Sequence, residues 1–153
     1  MKGNGWMPGL FALLFGTDAM VRQYVEECLE PGETRMLPGE RLMLRKVYNP
    51  GFALGILEDR PQTVKKLTGA AAVLVFAGWT GLFFLRGRRI EKAGCTLAAA
   101  GAAGNLLDRV RSGKVTDYIA LTSGPSFLTR LTANLADLYL AAGALILAGR
   151  RIL

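Results

Sequence analysis

The hydrophobic residues of this chain are grouped in long blocks rather than spaced at regular helical or strand intervals. From Leu67 to Leu85 there is no charged residue, and this length is close to the ~20 apolar residues with which a helix crosses a bilayer. Three further blocks are apolar but include polar or charged side chains. The pattern predicts an all-α membrane protein, a single domain over residues 1–153 with four transmembrane helices at about 6–25, 64–85, 91–107 and 131–149.

The long connection between the first two predicted helices carries the pattern of a β-hairpin. Pro31-Gly32, Pro38-Gly39 and Pro50-Gly51 are turn signals. Residues Arg41–Tyr48 are rich in Leu, Val and Tyr, which predicts a short strand that pairs with Thr34–Leu37 across the second of these turns. We therefore expect a small β region at about 33–57.

Composition removes several classes of function. Hydrophobic residues make up 51% of the chain, which is high for a soluble domain with a net charge of +7. The absence of histidine excludes Ser-His-Asp and Cys-His catalysis and histidine metal sites. Cys28 and Cys95 are too far apart in sequence for a zinc or redox motif. The basic residues form no contiguous basic helix, so membrane head groups explain them better than a nucleic acid does.

The polar residues within the apolar blocks are the candidates for chemistry, because ionisable side chains inside a membrane are costly and usually mark a functional site. If the third and fourth helices are antiparallel, Asp108, Asp117 and Asp137 converge at one membrane face. Two neighbouring carboxylates cannot both ionise cheaply, so they share a proton. Such a pair can activate water and protonate a leaving group, which hydrolyses a peptide bond without a metal.

Five motifs in order along nearly the whole chain resemble those of the lipoprotein signal peptidase (signal peptidase II) family. Asp18–Arg22 is similar to the family's D-Q-x-x-K, and Asn49–Leu54 resembles N-x-G-x-A-F. Gly104–Arg109 and Gly113–Tyr118 resemble the G-N-x-x-D-R and G-x-V-x-D-[FY] pair, with the family's spacing. Asn134–Asp137 resembles N-x-A-D.

The resemblance implies a four-helix aspartyl endopeptidase of the bacterial cytoplasmic membrane, with both termini in the cytoplasm and a small extracytoplasmic β-cradle. Its substrate would be a diacylglyceryl-modified prolipoprotein, cut before the lipidated cysteine. Its partners would be this substrate and membrane lipids, with no nucleic acid, and the protein would be a monomer without metal or cofactor. Asp117 and Asp137 match the catalytic pair. The residues that match substrate-binding or supporting positions are Asn49, Gly51, Asn105, Asp108, Arg109, Asn134, Asp18 and Arg22.

Departures from the family pattern leave substrate preference open. Ala19 and Arg22 replace Gln and Lys of the first motif, Leu54 stands where Phe is usual, and Ala133 stands where Phe usually precedes N-x-A-D. The alternative function is a non-catalytic paralogue or a small membrane transporter that uses the same carboxylates. Transporters commonly have internal repeats and charges near the midplane, whereas this chain has no repeat and its acids lie at segment ends. The distribution of basic residues alone leaves the orientation undecided.

Overall fold

The computed structural model describes residues 4–52 and 56–150, which form five helices and four strands. Leu54 lies outside the described residues, as do both ends of the chain. In chain order the elements are α1 (Trp6–Cys28), β1 (Thr34–Met36), β2 (Leu42–Asn49), α2 (Pro61–Phe84), α3 (Arg89–Ser112), β3 (Val115–Leu121), α4 (Ser126–Arg130), β4 (Thr132–Ala133) and α5 (Leu135–Gly149).

Helix α3 is the centre of the helical part and packs against α1, α2 and α5. Its contact with α5 is close because small residues face each other. A Cβ atom on Gly101 would lie 2.3 Å from the main-chain oxygen of Ala136, and one on Gly143 would lie 2.5 Å from that of Gly94. Small residues that let helix backbones approach are typical of helix pairs in membranes. The Gly101–Gly104 segment therefore is a helix-packing face.

One described helix, Pro61–Phe84, is long and apolar enough by composition to cross a membrane, and the apolar helix Leu135–Gly149 is shorter. Almost none of the apolar window of α2 is buried inside the protein. Leu74 of α2 and Leu145 of α5 are both about three-quarters exposed. Large apolar side chains thus cover the outside of the helical part.

The four strands form one antiparallel sheet in the order β1-β2-β3-β4. The predicted hairpin is confirmed, since Thr34–Met36 pairs with Met43–Arg45. Strand β3 lies in the connection between the third and fourth long helices, for which the sequence predicted no regular structure. Strand β4 occupies Thr132–Ala133, which the sequence assigned to the start of the fourth helix. The pairing of β2 with β3 places Val47 opposite Asp117, and so brings two distant loops together beside α3.

Two helix boundaries differ by about a helical turn or more from those predicted, and the others differ by less. Helix α3 continues past residue 107 and ends at Ser112, where Gly113 adopts a φ of +76° and its N–H bonds the carbonyl of Arg109. A glycine in this left-handed conformation is a common helix stop. Helix α5 begins at Leu135 rather than at residue 131, because the side chain of Asn134 caps it.

Candidate active site

Asp117 lies on β3 and is buried, with 3% of the residue exposed. Its carboxylate accepts a hydrogen bond on each oxygen, one from Asn49 Nδ2 at 3.0 Å and one from Asn134 Nδ2 at 2.8 Å. Asn49 is held in turn by the Gly51 N–H, which donates to its Oδ1 at 3.0 Å. Asp117 is therefore fixed by neutral amides from two separate parts of the chain.

Asp137 lies in the first turn of α5, where it forms a capping box with Asn134. The Asp137 N–H donates to Asn134 Oδ1 at 2.8 Å, and the Asn134 N–H donates to Asp137 Oδ2 at 3.3 Å. This reciprocal pair satisfies two N–H groups that a helix start leaves free. Asn105 of α3 donates to the other carboxylate oxygen at 2.7 Å. The orientation of Asp137 thus depends on two asparagines.

Asn134 joins the two carboxylates into one network. Its amide nitrogen donates both to Asp117 and to Asn105 Oδ1, the latter at 3.2 Å, while its amide oxygen accepts from Asp137. Burial raises the pKa of Asp117 to about 6, and the charge of Asp137 adds to this, whereas the hydrogen bonds from Asn49 and Asn134 oppose it. A raised pKa beside a second carboxyl group is the arrangement in which one proton is shared.

A cleft of about 1030 Å³ contains both carboxylates. Asn49, Asn105 and Arg109 line its polar end, and one wall is apolar and is built from α2, α3 and α5, including Leu67, Ala71, Val75, Ala102 and Leu140. Ala133 also lines the cleft, so this departure from the family pattern alters the wall, whereas Ala19 is exposed on α1. The cleft therefore combines two acids at its polar end with an apolar wall.

Arg109 anchors the loop that follows β2. Its Nη2 donates to the Gly51 carbonyl at 2.6 Å, and its guanidinium lies 5.5 Å from the ring centre of Phe52. Gly51 admits no side chain, since a Cβ would come within 2.7 Å of the carbonyl oxygen of Ile56. The predicted site residues Gly51 and Arg109 thus meet at the edge of the cleft.

Asp18, Arg22 and Asp108 form a second polar cluster outside the cleft lining. Arg22 bonds Asp108 through Nη1 and donates through Nη2 to Asp18 at 2.6 Å. Asp18 also accepts from the Ala136 N–H at 3.2 Å and from the Tyr118 hydroxyl at 2.9 Å. Because Ala136 is in the first turn of α5, this cluster braces the helix start behind the site.

Two residues of the sequence motifs, Gly104 and Tyr118, contact the cluster of Asp18, Arg22 and Asp108. Gly104 leaves room for it, since a Cβ there would lie 2.7 Å from Asp18 Oδ2. Tyr118 closes the Gly113–Tyr118 motif, but the sequence analysis gave it no role in the site. The available signal was its place at the [FY] position of that motif, directly after Asp117.

Among residues 4–52 and 56–150 there is no group of three or more acidic or cysteine side chains placed to hold a metal ion. The donors around Asp117 and Asp137 are asparagine amide nitrogens and main-chain N–H groups, which suit carboxylates and not a cation. The chemistry that this site offers is that of paired acids.

Two solved structures, each described as a bacterial membrane enzyme, share this fold. One such structure, described as a bacterial membrane enzyme solved by the in meso method at 2.3 Å resolution, has a TM-score of 0.80 at 21% identity and matches 97% of this chain and 88% of its own. A second, at 1.9 Å resolution, has a TM-score of 0.79 at 20% identity, with 95% and 92% covered. These similarities establish the fold.

The sequence comparisons identify the family. The sequence model described as Signal peptidase (SPase) II matches residues 10–153. The lipoprotein signal peptidase of Streptococcus pneumoniae is 31% identical, with 96% of this chain and 92% of the relative covered. That of Moorella thermoacetica is 29% identical, with 94% and 91% covered. The chain belongs to the signal peptidase II family, and it is a protease.

Proposed function

We propose that the protein is an aspartic endopeptidase of the membrane that removes signal peptides from diacylglyceryl-modified prolipoproteins, cleaving before the lipidated cysteine. The observation that carries the proposal is the pair of carboxylates, Asp117 and Asp137, joined through the side chain of Asn134 at one end of a large cleft. The names of its relatives agree with this substrate class.

In the proposed reaction the two acids share one proton and hold a water molecule between them. The ionised acid removes a proton from the water as its oxygen attacks the scissile carbonyl carbon, and the protonated acid donates to the carbonyl oxygen. The tetrahedral intermediate then collapses as the C–N bond breaks. The acid that took the proton from water gives it to the leaving amine, and the other acid takes back the hydroxyl proton. The raised pKa of Asp117 lets it hold the shared proton close to neutral pH.

We further propose that α1, α2, α3 and α5 are transmembrane helices, with both termini in the cytoplasm and the sheet at the outer face. The exposed apolar side chains of α2 and α5 support contact with lipid. Arg86 and Arg88 lie in the short link between α2 and α3, and Arg89 is the first residue of α3. This basic cluster supports a cytoplasmic position for the link, because short basic loops remain inside.

The substrate proposal follows from the shape and polarity of the cleft. Helix α2 packs along α3 and makes little contact with α5. The apolar wall that these three helices build is therefore suited to an acyl chain or an apolar signal peptide, while the acids at the polar end face the peptide bond. We propose that the protein acts as a monomer with substrate and lipids as its partners and without a cofactor.

The test uses purified protein in detergent micelles and a synthetic precursor peptide with a diacylglyceryl cysteine. We expect cleavage before that cysteine, loss of cleavage in Asp117→Asn and Asp137→Asn, and unchanged cleavage in Asp59→Asn, an exposed acid of the same type. The double variant should lose little more than either single one, because the two acids work as a unit. Full activity of Asp137→Asn would refute the mechanism.

A further inference from the structure

The two sides of β3 serve different parts of the molecule. Val115 and Asp117 line the cleft. The alternate residues point to α1, since Thr116 Oγ1 donates to Glu26 at 2.6 Å and the Tyr118 hydroxyl donates to Asp18. Alternation along the strand therefore places the Tyr118 side chain directly behind Asp117.

The hydroxyl of Tyr118 links three elements. It donates to Asp18 Oδ1 of α1 at 2.9 Å and accepts from the Leu135 N–H of α5 at 3.1 Å. Leu135 is the first residue of α5 and Asp137 is the third. Tyr118 is fully buried, and burial, with the Asp18 charge, raises the pKa of its hydroxyl, so it stays protonated.

The first turn of α5 owes its fixed position to this link. Helix starts leave their first N–H groups without intrahelical partners. Here Leu135 donates to Tyr118, Ala136 donates to Asp18, and Asp137 donates to Asn134. Two of the three partners belong to the Tyr118–Asp18 pair, which Arg22 holds in turn.

We propose that Tyr118 is a positioning residue whose hydroxyl fixes the separation between the carboxyl groups of Asp117 and Asp137. Tyr118 adjoins the first acid in the strand, and its hydroxyl holds the helix start that carries the second. This role rests on the proposed function, because a fixed separation matters only if the two acids act together.

The test is the pH profile of cleavage by Tyr118→Phe, which removes one oxygen atom. The Leu135 N–H then lacks its partner, and the first turn of α5 loosens. Small displacements of catalytic groups commonly cost between about 10-fold and 100-fold in rate. We expect a fall of that size in kcat, with KM changed less than about twofold, since the cleft lining is unaltered.

The profile should also change shape. Burial and the charge of Asp137 both raise the pKa of Asp117, and both weaken when α5 loosens. The alkaline limb of the profile therefore moves to lower pH. The other charged groups near the pair are not altered by the variant; they are Arg22, Glu58, Arg109 and Arg130.

The matched control is Tyr139→Phe on α5, because the described residues give that hydroxyl no hydrogen-bond partner; it should keep the wild-type profile. The shape of the profile does not depend on how much protein folds, so assays in native membranes serve if detergent unfolds a variant. If Tyr118→Phe lowers the cleavage rate equally at every pH, or leaves kcat at the wild-type value, the positioning role is overturned. In either case, loss of cleavage in Asp117→Asn still upholds the proposed function. Cleavage by both Asp117→Asn and Asp137→Asn would overturn the positioning role and the proposed function together.

Discussion

Asp117 should make the stability of the folded protein depend on pH, and Asp117→Asn should remove that dependence. Burial raises the pKa of this carboxyl group from an ordinary value of 3.8 to about 6. Each unit of such a shift corresponds to 1.36 kcal/mol, so about two units amount to roughly 3 kcal/mol. The folded state binds the proton more tightly than the unfolded state does. This contribution to stability is therefore fully present below pH 3.8 and is lost as the pH rises through about 6.

The variant also carries a constant cost that must be separated from this effect. Both oxygens of Asp117 accept from amide nitrogens, of Asn49 and Asn134. An asparagine here would turn its own amide nitrogen toward one of these donors, and an unsatisfied buried group costs about 1–3 kcal/mol. That cost does not vary with pH. The test is therefore how the difference in the free energy of unfolding between wild type and Asp117→Asn changes with pH. Its value at a single pH is not informative.

The assay is denaturant unfolding in detergent micelles at a series of pH values between 4 and 8 for wild type, Asp117→Asn and Asp59→Asn. We expect the free energy of unfolding of Asp117→Asn to rise relative to wild type by roughly 2.5 kcal/mol across this range, because part of the contribution is already lost at pH 4. The exposed Asp59→Asn control should follow the wild type. Parallel curves for wild type and Asp117→Asn would refute the raised pKa, and with it the shared proton in the resting site.

Three further predictions concern the surroundings of the pair. Asn134→Ala should lower kcat by about 100-fold, as loss of a positioned donor does, and stability by about 1 kcal/mol through the lost cap, measured by turnover and unfolding. Asp108→Asn should lower stability by up to about 3 kcal/mol, because it removes a partner of Arg22, and should leave partial turnover in the remaining folded protein. Gly101→Ala should cost about 1–3 kcal/mol through the clash with α5. Gly81→Ala, where a Cβ meets nothing within 4 Å, should cost nothing in the same unfolding assay and should gain up to about 1 kcal/mol of helix propensity.

The sequence predicted the β1–β2 hairpin but missed the strand that carries Asp117. Strand β3 was missed because the charge of Asp117 interrupts its apolar pattern and most of its residues are buried on both faces, so no hydrophobic alternation marks it. Its pairing with β2 joins residues about seventy positions apart, which no local pattern reveals.

The start of α5 was misplaced for a different reason. Leu131 and Ala133 are apolar and cannot be distinguished from helix by hydrophobicity alone. The informative signal was Asn134 with Asp137 three residues later, since an amide and an acid at this spacing form a capping box. At the end of α3 the stop was Gly113 and not the charged pair Asp108-Arg109, because a helix that leaves the apolar layer can continue in a polar environment.

The acids near the site fall into two groups with different charge compensation, and this difference supports the roles proposed for them. Asp18 and Asp108 share the guanidinium of Arg22, whose two terminal nitrogens reach one carboxylate each. An arginine spans two acids in this way better than a lysine with a single ammonium group, which makes Arg22 compatible with a bracing role. Asp117 and Asp137 take part in no salt bridge among the described residues, and their partners are neutral amides. The positive charge of Arg22 thus compensates the first group. In the proposed mechanism the second group shares a proton between its two acids, and such a proton is what peptide hydrolysis requires.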